Sequence, residues 1–140
     1  MTGVFLEDLS LGQSAELKRR VNEGDLTTFA AVTGDDNPLH LDEAYAAKTS
    51  FGGRIAHGML SAGYISAVLG TKLPGPGAIY VSQTLSFRRP VRIGDEVTAE
   101  VKVAAIDAAR GRVTFATQCV VAGKTVVEGE AVVIVPRRPA

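Results

Sequence analysis

Two kinds of hydrophobic spacing divide the chain. In the first half, Leu26, Phe29, Ala30 and Thr33 recur at helical spacing. Asp25 is the expected N-cap of that helix, because a carboxylate there can accept the free N–H groups of the first turn. Gly34 supplies a residue suited to the left-handed closing conformation, and Pro38 prevents the helix from resuming. Gln13–Val21 predicts a weakly alternating strand, and Asp42–Ala47 a short turn of helix. Gly52-Gly53 marks a loop. Gly58–Leu69 predicts a second helix, ended by Gly70. That helix carries no charge and is rich in small residues (Ser61, Ala62, Gly63, Ser66, Ala67), so it is expected to be buried on most sides. Glycine inside a helix costs about 1 kcal/mol against alanine, so a packing neighbour is expected at Gly63.

From Ile79 onward the period changes to two. Ile79, Val81, Leu85 and Phe87 alternate with Tyr80, Ser82, Thr84 and Ser86, and Gln83 falls on the apolar face. Val97, Ala99, Val101 and Val103 alternate in the same way, followed by Val113, Phe115, Thr117 and Cys119, and by the β-rich run Thr125–Val135. Such runs are half-buried strands. Asp107–Gly111 and Ala122-Gly123-Lys124 have the length of hairpin connections. The simplest packing is an α+β domain of the hot-dog type, a long antiparallel sheet wrapped around the central uncharged helix. Residues 1–140 are read as one such domain. A sheet of this design leaves edge strands, so a homodimer joined edge to edge is expected.

Composition narrows the function classes. Hydrophobic residues make up 46% of 140, enough for a core. Lys+Arg and Asp+Glu number 15 each, and a neutral chain with no polybasic run argues against nucleic acid as a partner. The one cysteine excludes an intrachain disulfide and a Cys-rich zinc site. The N-terminus has neither a basic region nor a long apolar run, and the charge-free stretch 55–71 is interrupted by His57, Ser61, Tyr64 and Ser66. A cytoplasmic protein with no membrane span is the expectation.

The candidate chemistry lies in Thr33–His40 and Arg54–Met59, which contain both histidines of the chain. Asp35 and His40 flank a Pro-containing turn that can aim both side chains at one point. An Asp–His pair can hold a water between them, one group removing a proton while the other supplies one. Asn37 is placed to hydrogen-bond the carboxylate or the turn backbone. Gly58 opens the uncharged helix, where free N–H groups and the helix dipole favour a developing oxyanion. His57 reads either as a helix-start residue bonded to backbone or as a proton carrier. No HExxH or comparable spacing occurs, so no metal is expected. Cys119 on an inward strand face reads as a small hydrophobe rather than a nucleophile. Gln83 either lines a pocket or bonds across the sheet, and Ser66 either caps its own helix or touches a ligand. Arg54, Arg88, Arg89 and Arg92 form either a solvated basic edge or contacts for nucleotide phosphates.

FAAVTGDDNPLHLDEAYA, followed by IAHGMLSAGYISAVLG and SQTLSFRRPVRIGDEV, resembles the MaoC-type, (R)-specific enoyl-CoA hydratase family. The likeness runs from about Leu11 to Val135. It implies a hot-dog fold, a dimer, and reversible addition of water to a trans-2-enoyl-CoA thioester to give the (R)-3-hydroxyacyl-CoA. Asp35 and His40 would then be the catalytic pair and Gly58 the oxyanion donor, without a cofactor. Asn37 and His57 would support them. Ser66, Leu69 and Val132 would shape the acyl pocket, and Arg54, Arg88 and Arg89 would meet the CoA. Two further readings keep the fold: a 3-hydroxyacyl-thioester dehydratase of fatty-acid synthesis acting on acyl-carrier protein, and an acyl-CoA thioesterase. A non-catalytic acyl-CoA-binding domain is a third. The pathway, whether polyhydroxyalkanoate supply, fatty-acid degradation or synthesis, is open at this stage.

Overall fold

A computed structural model describes residues 3–140. After a short 3-10 turn at Leu6–Asp8, strand β1 (Ser14–Arg20) leads into helices α1 (Glu23–Thr33), α2 (Pro38–Leu41) and α3 (Glu43–Ala47). A loop then reaches the uncharged helix α4 (Gly58–Thr71). The rest is strand: β2 (Ile79–Gln83), β3 (Ser86–Phe87), β4 (Glu96–Asp107), β5 (Arg112–Val121) and β6 (Lys124–Ile134). Every pairing is antiparallel, in a six-stranded sheet of order β1-β4-β5-β6-β2, with β3 also on β6. Helix α4 lies against β1, β4, β5 and β6, which is the α+β hot-dog arrangement that the patterning predicts.

The alternation in the long strands explains the core. Val97, Ala99, Val101 and Val103 of β4, Val113, Phe115 and Cys119 of β5, and Ala131 and Val133 of β6 are buried toward Ile65, Val68 and Leu69 of α4. Fully burying a side chain such as Phe115 or Ile65 stabilises by about 1.5–3 kcal/mol. Cys119 is buried with them, and burial pushes its thiol up from 9.0 to about 12, so it packs as a hydrophobe. Ala122 and Gly123 both take positive φ, 50° and 78°, which turns the β5–β6 connection as a two-residue hairpin requires.

Several local expectations change. The N-cap of α1 is Asn22, not Asp25; the Asn22 side chain accepts from the Asp25 N–H, and the Asp25 carboxylate accepts from the Asn22 N–H, both at 2.9 Å. Asp25 is the acidic half of a capping box, three residues inside. Pro38 does stop α1, which closes on Gly34 at φ 81°, but it also starts α2, where its missing N–H costs nothing. Helix α4 passes through Gly70 and ends at Thr71. Its burial is one-sided: Met59, Gly63, Ser66 and Gly70 are exposed, and nothing stands within 4 Å of a Cβ at Gly63, so no neighbour among the described residues accounts for that glycine. Finally, a bulge between Tyr80 and Ser82 breaks the alternation of β2, leaving Ile79, Tyr80 and Val81 exposed on the sheet edge. Among the described residues, no helix is long and apolar enough to cross a membrane.

Candidate active site

The segment between β1 and α4 lies over the first turn of α4 and carries the candidate residues there. Asp35 follows the left-handed Gly34, and its N–H donates to Thr33 Oγ1 at 3.1 Å. Its carboxylate accepts weakly from the Asn37 N–H, at 3.4 Å. The Asn37 side chain accepts from the Leu39 N–H at 3.0 Å, so Asn37 fixes the turn backbone and caps α2. Helix α2 then directs His40 inward, where it is 8% exposed.

Backbone carbonyls set both imidazole tautomers, because a carbonyl only accepts. His40 Nδ1–H donates to the Ile55 carbonyl at 2.7 Å, leaving the lone pair of the neutral ring on Nε2. His57 Nε2–H donates to the Asp35 carbonyl at 2.9 Å, leaving its lone pair on Nδ1. The two rings stack at 3.9 Å and 27°, and the Phe29 ring lies 4.6 Å from that of His57, tilted at 45°. The Asp35 carboxylate and one nitrogen of each histidine lie within 4.8 Å of one another. This is the one cluster of acidic, His or Cys donors among the described residues that a metal could use.

Two clefts meet at Met59. One, of about 410 Å³, is lined by His40, His57 and Gly58, with Phe87, Arg88 and Arg89 at its side. The other, of about 630 Å³, is lined by Asp35, Phe29, Ser66, Tyr80 and Gln83 among others. Gly58 begins α4, where the first-turn N–H groups lack intrahelical acceptors. The Phe87 ring packs so closely on it that a Cβ at Gly58 would be 2.5 Å from the ring.

The expected residues divide by position. Asp35, Asn37, His40, His57 and Gly58 come together, and Ser66 lines the second cleft. Arg88 and Arg89 border the first, Arg88 paired with Glu128 at 2.7 Å and Arg89 donating to the Thr125 carbonyl at 2.7 Å. Arg54 is elsewhere: its side chain is only 10% exposed, and its guanidinium donates to the His40 carbonyl at 2.7 Å and to Glu23 at 3.0 Å. It supports the His40 backbone rather than facing a cleft. Leu69 is 3% exposed in the core with Ile65 and Val68, and lines neither cleft. Val132 alternates with buried Ala131 and Val133, which puts it on the opposite face of the sheet. Both depart from the expected pocket wall. Gln83 does both things expected of it. It lines the second cleft, donates to Thr117 Oγ1 at 2.9 Å across the sheet, and accepts from the Tyr80 hydroxyl, whose pKa burial raises.

Phe29, Met59, Tyr80 and Phe87 are cleft residues that the sequence does not reveal. Phe29 and Phe87 carry only the signal of apolar periodicity, which assigns them to the core. Tyr80 carries only that of a polar-face position.

A family model described as the MaoC like domain matches residues 9–129. Over 134 residues the chain is 58% identical to an (R)-specific enoyl-CoA hydratase of Rhodospirillum rubrum, covering 96% of this chain and 93% of that protein. It is 53% identical to a 3-hydroxybutyryl-CoA dehydratase of Methylorubrum extorquens, covering 96% and 86%. Among solved structures, an R-hydratase of Pseudomonas aeruginosa superposes with a TM-score of 0.92 at 50% identity, covering 97% of this chain and 88% of that one.

Proposed function

Since the chain belongs to the MaoC-like domain family, we propose that it is an (R)-specific enoyl-CoA hydratase, a hydro-lyase that adds water reversibly to trans-2-enoyl-CoA. The observation that carries this reading is the Asp35 carboxylate beside a His40 ring whose Nε2 is left free by the bond from Nδ1–H to Ile55. Water held between them has an acceptor on each side. Its hydroxyl goes to C3 of the enoyl group, and the proton passes through the pair to C2. Charge moves onto the thioester oxygen, where the Gly58 N–H and the α4 dipole stabilise it. Dehydration of the 3-hydroxyacyl thioester is the same path reversed.

The two clefts suit a thioester that crosses the site. The acyl chain occupies the cleft with Ser66, and the pantetheine arm leaves past Gly58 toward Arg88 and Arg89. Asn37 and His57 support the pair. Residues 1–140 act as a single domain, in the cytoplasm, as a homodimer built on the exposed edge of β2. The hydration reading is tested by incubating the protein with crotonyl-CoA and longer enoyl-CoAs and resolving the product on a chiral column. The (R)-3-hydroxyacyl-CoA is expected. An (S) product, free thiol released without hydration, or no turnover would overturn the reading.

A further inference from the structure

Among the described residues, His57 Nδ1 is a buried polar atom with no hydrogen-bond partner. The residue is 2% exposed, pressed between Phe29 and His40. Leaving such an atom unpaired is unfavourable, and an apolar ring would fill the same space without that cost. The imidazole is therefore not explained by packing alone. Its one polar contact shows what it supplies: Nε2–H holds the Asp35 carbonyl at 2.9 Å.

The neighbours of His57 give that contact its meaning. Asp35 is an exposed loop residue whose carboxylate, among the described residues, makes only the weak 3.4 Å contact with the Asn37 N–H. The His57 bond ties the loop at its main chain, where a side-chain rotation cannot loosen it. The same ring stacks on His40 at 3.9 Å and restricts its tilt, while the His40–Ile55 bond sets its direction. The His57 backbone is the N-cap of α4, directly before the Gly58 N–H. One residue thus meets all three: its ring bonds the Asp35 main chain and stacks on His40, and its backbone leads into Gly58.

We propose that His57 is a positioning residue that holds Asp35, His40 and Gly58 in mutual register, as the Nε2–H tautomer, without exchanging a proton with substrate. This rests on the hydration reading and adds to it the source of the site's geometry. A misplacement of about 1 Å in such a site costs on the order of 100-fold in rate, so loss of the tie affects turnover more than binding.

Two variants of the full chain separate the bond from the ring. His57→Phe keeps a stacking ring and loses the donor. His57→Gln loses the stack but retains an amide N–H able to reach the Asp35 carbonyl. With crotonyl-CoA, His57→Phe is expected to lose roughly 10–100-fold in kcat with KM within about twofold, and His57→Gln to recover part of that loss. In the wild-type protein, imidazole nitrogen-15 NMR is expected to show a proton on Nε2 and none on Nδ1. A wild-type kcat in His57→Phe would overturn the proposal. So would a change confined to KM, or the opposite tautomer. A loss that merely follows the folded fraction, measured by circular dichroism in the same samples, would also overturn it. Should His57→Phe not fold, the tautomer measurement and the Gln variant still decide. Failure of the hydration reading shows differently, as a wild-type protein that does not hydrate crotonyl-CoA.

Discussion

Asp35 is exposed and His40 is buried, and that difference sets what each substitution does. Asp35→Asn leaves an oxygen for the Asn37 N–H and disturbs no buried group. Hydration of crotonyl-CoA is expected to fall by about 10²–10⁴-fold with the melting temperature unchanged. His40→Ala removes the same chemistry and also leaves the buried Ile55 carbonyl without its donor, a cost of about 1–3 kcal/mol. It is expected to remain folded, to melt lower, and to lose activity as severely. Steady-state kinetics and thermal melts on the same preparations check both, and near wild-type turnover in either removes that residue from the pair. Gly58 is a third case, because what its missing side chain makes room for is the Phe87 ring, 2.5 Å from an added Cβ. Phe87 is 55% exposed and can move, so Gly58→Ala is expected to fold and to push the ring across the cleft, lowering kcat. Adding Phe87→Leu to Gly58→Ala is expected to restore part of the rate. No restoration would mean that the methyl group itself blocks the oxyanion position.

At the scale of elements, the sequence announces what a regular period or a turn residue encodes. The long strands β4, β5 and β6 are legible because one face is buried along their length, so alternation is enforced at each step. The closeness of Asp35 and His40 is legible because Gly34 stops a helix just before them and Pro38 turns the chain between them. Three features are hidden for physical reasons. Asn22 and Asp25 are both good capping residues, and only backbone geometry shows that Asn22 sits at the cap while Asp25 closes the box. The bulge at Tyr80/Ser82 is a register fault with no residue type of its own. Arg54 reads either as part of a solvated basic edge or as a contact for nucleotide phosphates, but the His40 carbonyl and Glu23 occupy it. The capping box gives the prediction at this scale. Asn22→Ala is expected to cost about 1 kcal/mol, read as a lower melting midpoint. Since Asp35 is at the other end of α1, kcat on crotonyl-CoA is expected to stay at wild type. A fall in kcat without loss of fold would show that the α1 N-terminus is coupled to the site.

For the whole molecule, the question is how the sheet ends. One outer strand is β1, whose SAELKRR sequence carries Lys18, Arg19 and Arg20. Charges of that kind keep an edge from pairing with another chain. The other is β2, IYVSQ, with no charge, where Ile79 is 59%, Tyr80 40% and Val81 41% exposed. The exposed face of α4, with Met59, Gly63 and Ser66, borders the same cleft as Tyr80 and Gln83. An uncharged apolar edge beside a helix face of small residues is what a second copy of the chain can cover, extending the sheet through β2. The two edges therefore differ in what they permit, and the proposed homodimer would form on β2. Val81→Lys places a charge at the bulge on that edge, away from the chain's own core. It is expected to shift the protein from dimer to monomer in sedimentation equilibrium while circular dichroism keeps the strand signal. Because Tyr80 and Gln83 line the Asp35 cleft from the same strand, the monomer is also expected to bind crotonyl-CoA more weakly, seen as a raised KM. Glu16→Lys on the β1 edge is the matching control and is expected to leave the dimer intact. If Glu16→Lys dissociates the dimer and Val81→Lys does not, the contact lies on β1.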